Sequence, residues 1–407
     1  MKVLLVGSGG REHALAWRLS QDPGLDELHA APGNPGIAKL GICHPAHPQD
    51  GESLLALCRS LEIDLAVIGP EGPLVAGVAD ELRHGGVAVF GPGRGAAQIE
   101  GSKAFAKDVM QAAGVPTAEA LPVARVPCVI KADGLAAGKG VYICRTGTEL
   151  EDGLRNATGF GGSVVIEELL EGREASLFAI CDGARALPLA PAQDYSRASD
   201  GDEGPNTGGM GSFSPVPGLG PEQVDELVET VHEPVLRELA ARGTPFVGLL
   251  YAGLMLTDSG PRVLEFNCRF GDPETQAILP RLEGDLLGAL AAAARGKLGD
   301  AELSARPEAA VVISITGPDY PARSDYAGVP IEGVEDAEES GALVFHAGTA
   351  LHGGRLVTSG GRILSVTALG ETLAEARGRA YDAVARISFD GARYRTDIAA
   401  IEEQRVG

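Results

Sequence analysis

The chain has 407 residues, with 34 Lys and Arg against 56 Asp and Glu, a formal net charge of −22, 57 glycines and 4% aromatic residues. The length suits about three domains with separate cores. The charge argues against a nucleic-acid or acidic-membrane surface, so basic residues gathered in a cleft would serve a small anion.

Six scattered cysteines with no C-x-x-C pairing indicate neither a disulfide scaffold nor a zinc site. The apolar run before Gly7 is too short for a secretory h-region, and no run reaches membrane-spanning length, so the expectation is a cytoplasmic protein. Residues 1–101 alternate strands (3–6, 64–68, 87–90) with helices (12–19, 76–83), a small parallel sheet. In the first turn, GSGGREH, Glu12 stands where a dinucleotide fingerprint needs its third glycine, which speaks against nicotinamide binding. The turn still suits a single phosphate with Arg11 beside it, or is simply a tight connection with Arg11 in water. The loop GPEGP holds Glu71 at the carboxyl edge of the sheet, where ligands of open α/β sheets bind.

Ser102 reads as the N-cap of a helix that ends before Gly114, with Lys103 and Lys107 on one face. Next comes VIKADGLAAGKGV (129–141), a strand ending in Lys131 and a glycine loop carrying Gly138, Lys139 and Gly140. Such loops gather backbone N–H groups and lysine charge around polyphosphate. It is one residue shorter between its glycines than a Walker A loop and has Gly140 in place of the magnesium-binding hydroxyl, so a metal must be held elsewhere. Residues 164–170 form a strand with Glu167 and Glu168, and with Glu174 they suit adenine and ribose, or an edge strand with solvated glutamates.

The stretch 191–217 reads as a long polar loop around GPNTGGMG, a lid or wall for substrate. A helix over 221–241 and strands over 247–256 and 262–267 follow. Glu265 and Asn267, two apart, face the same side of the last strand and offer hard oxygens to magnesium bridging phosphates. Arg269 and Asp272 come directly after, in CRFGDPE. From about residue 300, strands, glycine turns and a helix over 371–387 form a third domain in which His346 and Arg362 read as packing or surface residues.

These motifs, with VIEELLEGREAS and GPEGPLV, resemble the glycinamide ribonucleotide synthetase family of the ATP-grasp superfamily over essentially the whole chain. The resemblance implies an α/β and α+β multidomain fold: an N-terminal Rossmann-like domain (1–101), an ATP-grasp domain (102–299) with a mobile lid (about 117–190), and a mixed C-terminal domain (300–407). It implies a ligase that uses ATP and Mg2+ or Mn2+ to join glycine to 5-phosphoribosylamine through glycyl phosphate, and a monomer is expected.

Carried over by residue, the family pattern puts ATP phosphates on Lys107, Lys131, Gly138, Lys139 and Gly140. Adenine falls at Glu167, Glu168, Leu169 and Leu170, ribose at Glu174 and metal at Glu265 and Asn267. Sugar phosphate falls near Gly9, Gly10, Arg11 and Glu71, and the substrate wall at Asp194, Asn206, Thr207 and Gly208. Arg269 and Asp272 take the reacting end, Arg269 for a carboxylate or oxyanion and Asp272 for an amine.

The chain departs from the family in having Ser196 where a lysine is common, and in a short connection over 117–129. The alternatives are an ATP-grasp ligase using formate or bicarbonate, and a nucleotide sensor without turnover. The intact set Lys107, Lys131, Glu265 and Asn267 argues against the sensor.

Overall fold

The computed structural model describes residues 1–136, 140–160 and 162–400. The chain opens with β1 (Lys2–Gly7), whose Val3 to Val6 are fully buried, as a strand covered on both faces requires. Then come α1 (Gly10–Leu19), β2 (Glu27–Pro32), β3 (Ile42–Cys43), α2 (Gly51–Leu61), β4 (Leu65–Ile68), α3 (Glu71–Ala76), α4 (Val78–His84) and β5 (Val89–Phe90). The sheet is parallel, in the order β3-β2-β1-β4-β5. Its strand order reverses between β1 and β4, which puts Arg11 and Glu71 at the crevice outside their carboxyl ends.

Two corrections arise here. β2, β3 and α2 escape the sequence reading, because β2 (ELHAAP) lacks β-branched residues and takes strand form through its ladder to β1. Glu71 stands in the first turn of α3, not in a loop.

Helices α5 (Arg94–Gly101) and α6 (Lys103–Ala113) follow, the latter capped by Ser102 Oγ accepting from Phe105 N and closed by Gly114 at φ 68°. A small antiparallel sheet is built from β6 (Cys128–Ala132), β7 (Val141–Cys144) and β8 (Val164–Glu168), in the order β7-β6-β8, backed by α7 (Gly147–Thr158). Its core is modest: Cys128, Ile130, Ala132, Cys144 and Ala157.

The next strands are β9 (Arg173–Asp182), β10 (Ala186–Pro188), β11 (Gln193–Asp194), β12 (Arg197–Ser199), β13 (Glu203–Asn206) and β14 (Gly211–Ser214). Helices α8 (Pro221–Leu227) and α9 (Glu233–Ala241) lead to β15 (Val247–Thr257), β16 (Gly260–Asn267) and α10 (Glu274–Ile278). The expected single helix over 221–241 widens by a turn at Val228–His232, just before Pro234, which lacks an N–H for regular bonding.

A four-stranded sheet, β10-β9-β15-β16, forms the opposite wall of a cleft from the small sheet. β9 and β10, read as part of the lid, therefore belong to this wall, and the small sheet comprises β6, β7 and β8 alone.

The remainder is β17 (Leu282–Glu283), α11 (Leu286–Ala294), β18 (Ser304–Ala305), β19 (Ala309–Thr316), β20 (Tyr326–Pro330), α12 (Val334–Glu339), β21 (Leu343–His346), β22 (Thr349–His352), β23 (Arg355–Gly360), β24 (Arg362–Gly370) and α13 (Leu373–Val384). Its main sheet runs β11-β14-β19-β24-β21. The stretch read as an unstructured loop over 191–217 thus supplies two strands to the C-terminal sheet, with Ser212 opposite Val312. No local pattern could reveal a partner so far along the chain. Among the described residues no helix is long and apolar enough to cross a membrane.

Candidate active site

The three parts enclose a cleft of about 1200 Å³. Lys131 stands next to the end of β6, with Nζ 2.7 Å from Glu167 Oε2 and 2.7 Å from Leu264 O. Lys107, one turn into α6, reaches the other oxygen of the same carboxylate, Glu167 Oε1, at 2.6 Å, and also Thr117 Oγ1 and Ala118 O. Burial lowers the Lys107 pKa, and the Glu167 charge only partly offsets it.

Glu167 is 3% exposed, and this carboxylate holds two lysines in place. Glu168, Leu169, Leu170, Glu174 and Gly140 line the cleft beside it, whereas Lys107 sits behind the lining. Gly138 and Lys139 lie outside the described residues.

Lys103, one turn before Lys107 on the same helix face, is the site lysine that the sequence reading passed over. Its Nζ lies 2.5 Å from Glu265 Oε2. Burial alone would raise the Glu265 pKa, but Lys103 outweighs it and holds the carboxyl at about 2, so Glu265 stays ionised. Glu265 and Asn267 line the cleft together from β16. A carboxylate and an amide oxygen suit a hard divalent ion whose other ligands come from polyphosphate.

Past β16, Arg269 is locked between carboxylates: Nε lies 3.2 Å from Glu71 and Nη2 3.0 Å from Glu100, and Nη1 donates to Phe270 O. Burial would push Glu71 up, yet Arg269 and Arg11 keep it at about 2. Arg11 pairs with Glu12 at 2.5 Å and donates to Phe270 O. Glu12 also takes the Gly9 N–H at 2.6 Å, so the chain's own carboxylate fills the first anion position of α1. Gly9 and Gly10 fall outside the cleft lining, while Arg11 and Glu71 are within it.

Asp272 lines the cleft with both oxygens engaged, one by Gln276 Nε2 at 2.7 Å and one by Arg362 Nη2 at 3.0 Å. An amine at Asp272 therefore has to compete with a guanidinium. Arg362, read from sequence as a packing or surface residue, lines the cleft and also binds Asp272 O and the Gly208 carbonyl. Tyr320 OH accepts from Gly208 N. Thr207 is tied to Ser196 O, Asn206 reaches Val141 O at 3.5 Å, and Ser196 Oγ donates to Asp194 Oδ2 at 2.9 Å. Asp194, Asn206, Thr207 and Gly208 all line the cleft.

A lysine-lined cleft gripped between two antiparallel sheets, with a carboxylate and an amide oxygen on the deeper one, defines the ATP-grasp class. Residues 101–275 match the phosphoribosylglycinamide synthetase ATP-grasp (A) domain, 1–100 its N domain and 310–401 its C domain. The chain belongs to the phosphoribosylglycinamide synthetase family.

It is 52% identical to the phosphoribosylamine–glycine ligase of Streptomyces coelicolor, over 98% of this chain and 99% of that one. With that of Mesorhizobium japonicum the figures are 48%, 98% and 97%. The crystal structure of the Thermotoga maritima phosphoribosylamine–glycine ligase superposes with a TM-score of 0.82 at 35% identity, covering 98% of this chain and all of that one. The biotin carboxylase domain of Hydrogenobacter thermophilus 2-oxoglutarate carboxylase shares the fold, with a TM-score of 0.70 at 17% identity, covering 99% of this chain and 98% of that one. ATP-grasp membership brings use of ATP with a divalent metal.

Proposed function

We infer that this chain is the ligase of purine biosynthesis that joins glycine to 5-phosphoribosylamine, giving glycinamide ribonucleotide, ADP and phosphate. The observation that carries this reading is one cleft with lysines and a metal-suited oxygen pair at one end and a polar wall from the C-terminal sheet at the other. A glycine carboxylate oxygen attacks the γ-phosphorus of ATP, the bond to the bridging oxygen breaks, and ADP leaves. The amine of phosphoribosylamine then attacks the acyl carbon, phosphate departs, and the new amide nitrogen gives up a proton.

Lys131, with the 138–140 loop, takes the ATP phosphates, offsetting charge in the transfer, while Lys107 holds Glu167 from behind the lining. Backbone of 168–170 faces adenine, and Glu174 faces ribose. Glu265 and Asn267 would hold Mg2+ or Mn2+, which would offset the charge of the phosphates, and Lys103 keeps Glu265 ionised.

Arg11, Glu71, Asp194 and the 206–208 wall flank phosphoribosylamine. Arg269 and Asp272 stay at the acyl end, Arg269 as a fixed cation between Glu71 and Glu100, and Asp272 as the residue that fixes Arg362 and the wall. Both acyl phosphate and phosphoribosylamine hydrolyse readily, so closing the small sheet over the cleft protects them. The test is product formation from ATP, glycine and freshly made phosphoribosylamine, with formate and bicarbonate in parallel. Glycine alone should support it; turnover with another acid and none with glycine would sink the reading.

A further inference from the structure

Asp133 directly follows β6 and heads the glycine loop, yet it falls outside the cleft lining while its neighbours Ala132 and Gly134 are within it. Gly134 stands at φ 120°, so the chain turns just after Asp133 in a conformation that glycine takes readily. The Asp133 carboxylate meets the first turn of α6 instead. The capping hydroxyl Ser102 Oγ donates to Oδ1 at 2.9 Å, and Ala104 N donates to the same oxygen at 3.3 Å. Ser163 Oγ, just before β8, donates to Oδ2 at 3.0 Å, and Asp133 N donates to Ser163 O at 2.9 Å.

A carboxylate at a helix N-terminus satisfies N–H groups that have no partner within the helix and complements the helix dipole. Burial would raise the Asp133 pKa, but the hydrogen bonds from Ser102, Ala104 and Ser163 outweigh it and lower the value. The same turn sends Lys103 to Glu265 at 2.5 Å. One turn of helix thus carries both the anchor of the loop and the partner of the carboxylate suited to a metal.

We propose that Asp133 is a positioning residue for the nucleotide: it docks the head of the glycine loop on the N-terminal turn of α6, which fixes where the loop starts toward the ATP phosphates and keeps it aligned with Glu265. In this role Asp133 touches neither nucleotide nor metal and acts through the backbone that follows it. Positioning of this kind costs binding and rate when lost. The inference rests on the reading that the 138–140 loop takes ATP phosphates, and not on which acid and amine the cleft joins.

The experiment uses the full chain with Asp133→Ala, Asp133→Asn and Ser102→Ala. It measures amide hydrogen exchange without nucleotide, ATP binding by calorimetry, and the KM values for ATP and glycine. Asp133→Ala should speed exchange in 132–136 and β7 and weaken ATP binding about tenfold, with the glycine KM near native. Asp133→Asn keeps an oxygen for Ser102 and Ala104 and should recover most of that loss. Ser102→Ala opens the contact from the other side and should shift ATP in the same direction by less; it decides the matter if Asp133→Ala does not fold. The double variant should be no worse than Asp133→Ala alone, because both changes break one contact.

Native ATP affinity in Asp133→Ala overturns the proposal, as do additive losses in the double variant or an Asp133→Asn variant no better than Asp133→Ala. An equal rise in the glycine KM reduces Asp133 to a general structural role and overturns it as well. A native protein that binds no ATP sinks the nucleotide reading instead, and hydrogen exchange then still decides whether Asp133 holds the loop.

Discussion

Lys131 and Lys107 share one buried carboxylate, and this sets what their removal should do. Replacing Lys131 with Met removes a charge that ATP phosphates would use and leaves Lys107 as the one cation paired with Glu167 among the described residues. ATP affinity should fall by about 1.5–3 kcal/mol, roughly tenfold or more, in a nucleotide titration. Unchanged affinity would make Lys131 purely structural. Glu265→Gln with Asn267→Ala should abolish metal-dependent turnover while the chain still folds cooperatively, since both side chains line the cleft, and the loss of the Lys103 ion pair should lower the unfolding midpoint only modestly. Normal turnover in that double variant would mean that the metal is held elsewhere.

The small sheet β6–β8 differs physically from the wall it faces. Its core has few buried side chains, whereas β9 and β15 are packed within the two largest apolar clusters of the molecule. Few buried contacts mean a low cost of local opening. Amide hydrogen exchange should therefore be faster in β7 and α7 than in β9 and β15, and ATP should slow the small sheet selectively. Equal protection in the two sheets without nucleotide would show that the short 117–129 connection, hydrogen-bonded to Val263 through Thr117, holds the sheet rigid.

Across the molecule, the cleft wall is tied to the far end of the chain. Arg395 is 1% exposed, stacks over Tyr195 at 4.8 Å, and reaches Asp397 and Asp202 at 2.6–2.8 Å. Thr396 N donates to Asp200 at 2.8 Å, and Gly201 N to Asp397. The β12–β13 hairpin is thus clasped by residues 395–397. Arg395→Met keeps the bulk but loses the guanidinium's charge-assisted bonds to Asp202 and Asp397, both of which keep solvent, so it should cost about 1–2 kcal/mol of stability. It should also raise the KM for phosphoribosylamine more than that for ATP. Urea unfolding and steady-state kinetics check the two effects, and an unchanged KM would restrict the clasp to stability.

The sequence by itself determined what depends on neighbours in the chain. The strand running into Lys131 and its glycine loop, the Ser102 cap, and the two-residue spacing that puts Glu265 and Asn267 on one face all follow from local periodicity and capping. The order of these motifs made the family legible as well. Tertiary structure alone decided which charges meet. Lys103 finds Glu265 and Arg269 finds Glu71 and Glu100 across long stretches of sequence, Arg362 reaches Asp272 from another domain, and β14 takes its strand form from β19. Burial makes such pairings obligatory, since a desolvated charge or an open strand edge must find a partner. Which partner it finds is fixed only when distant segments pack together.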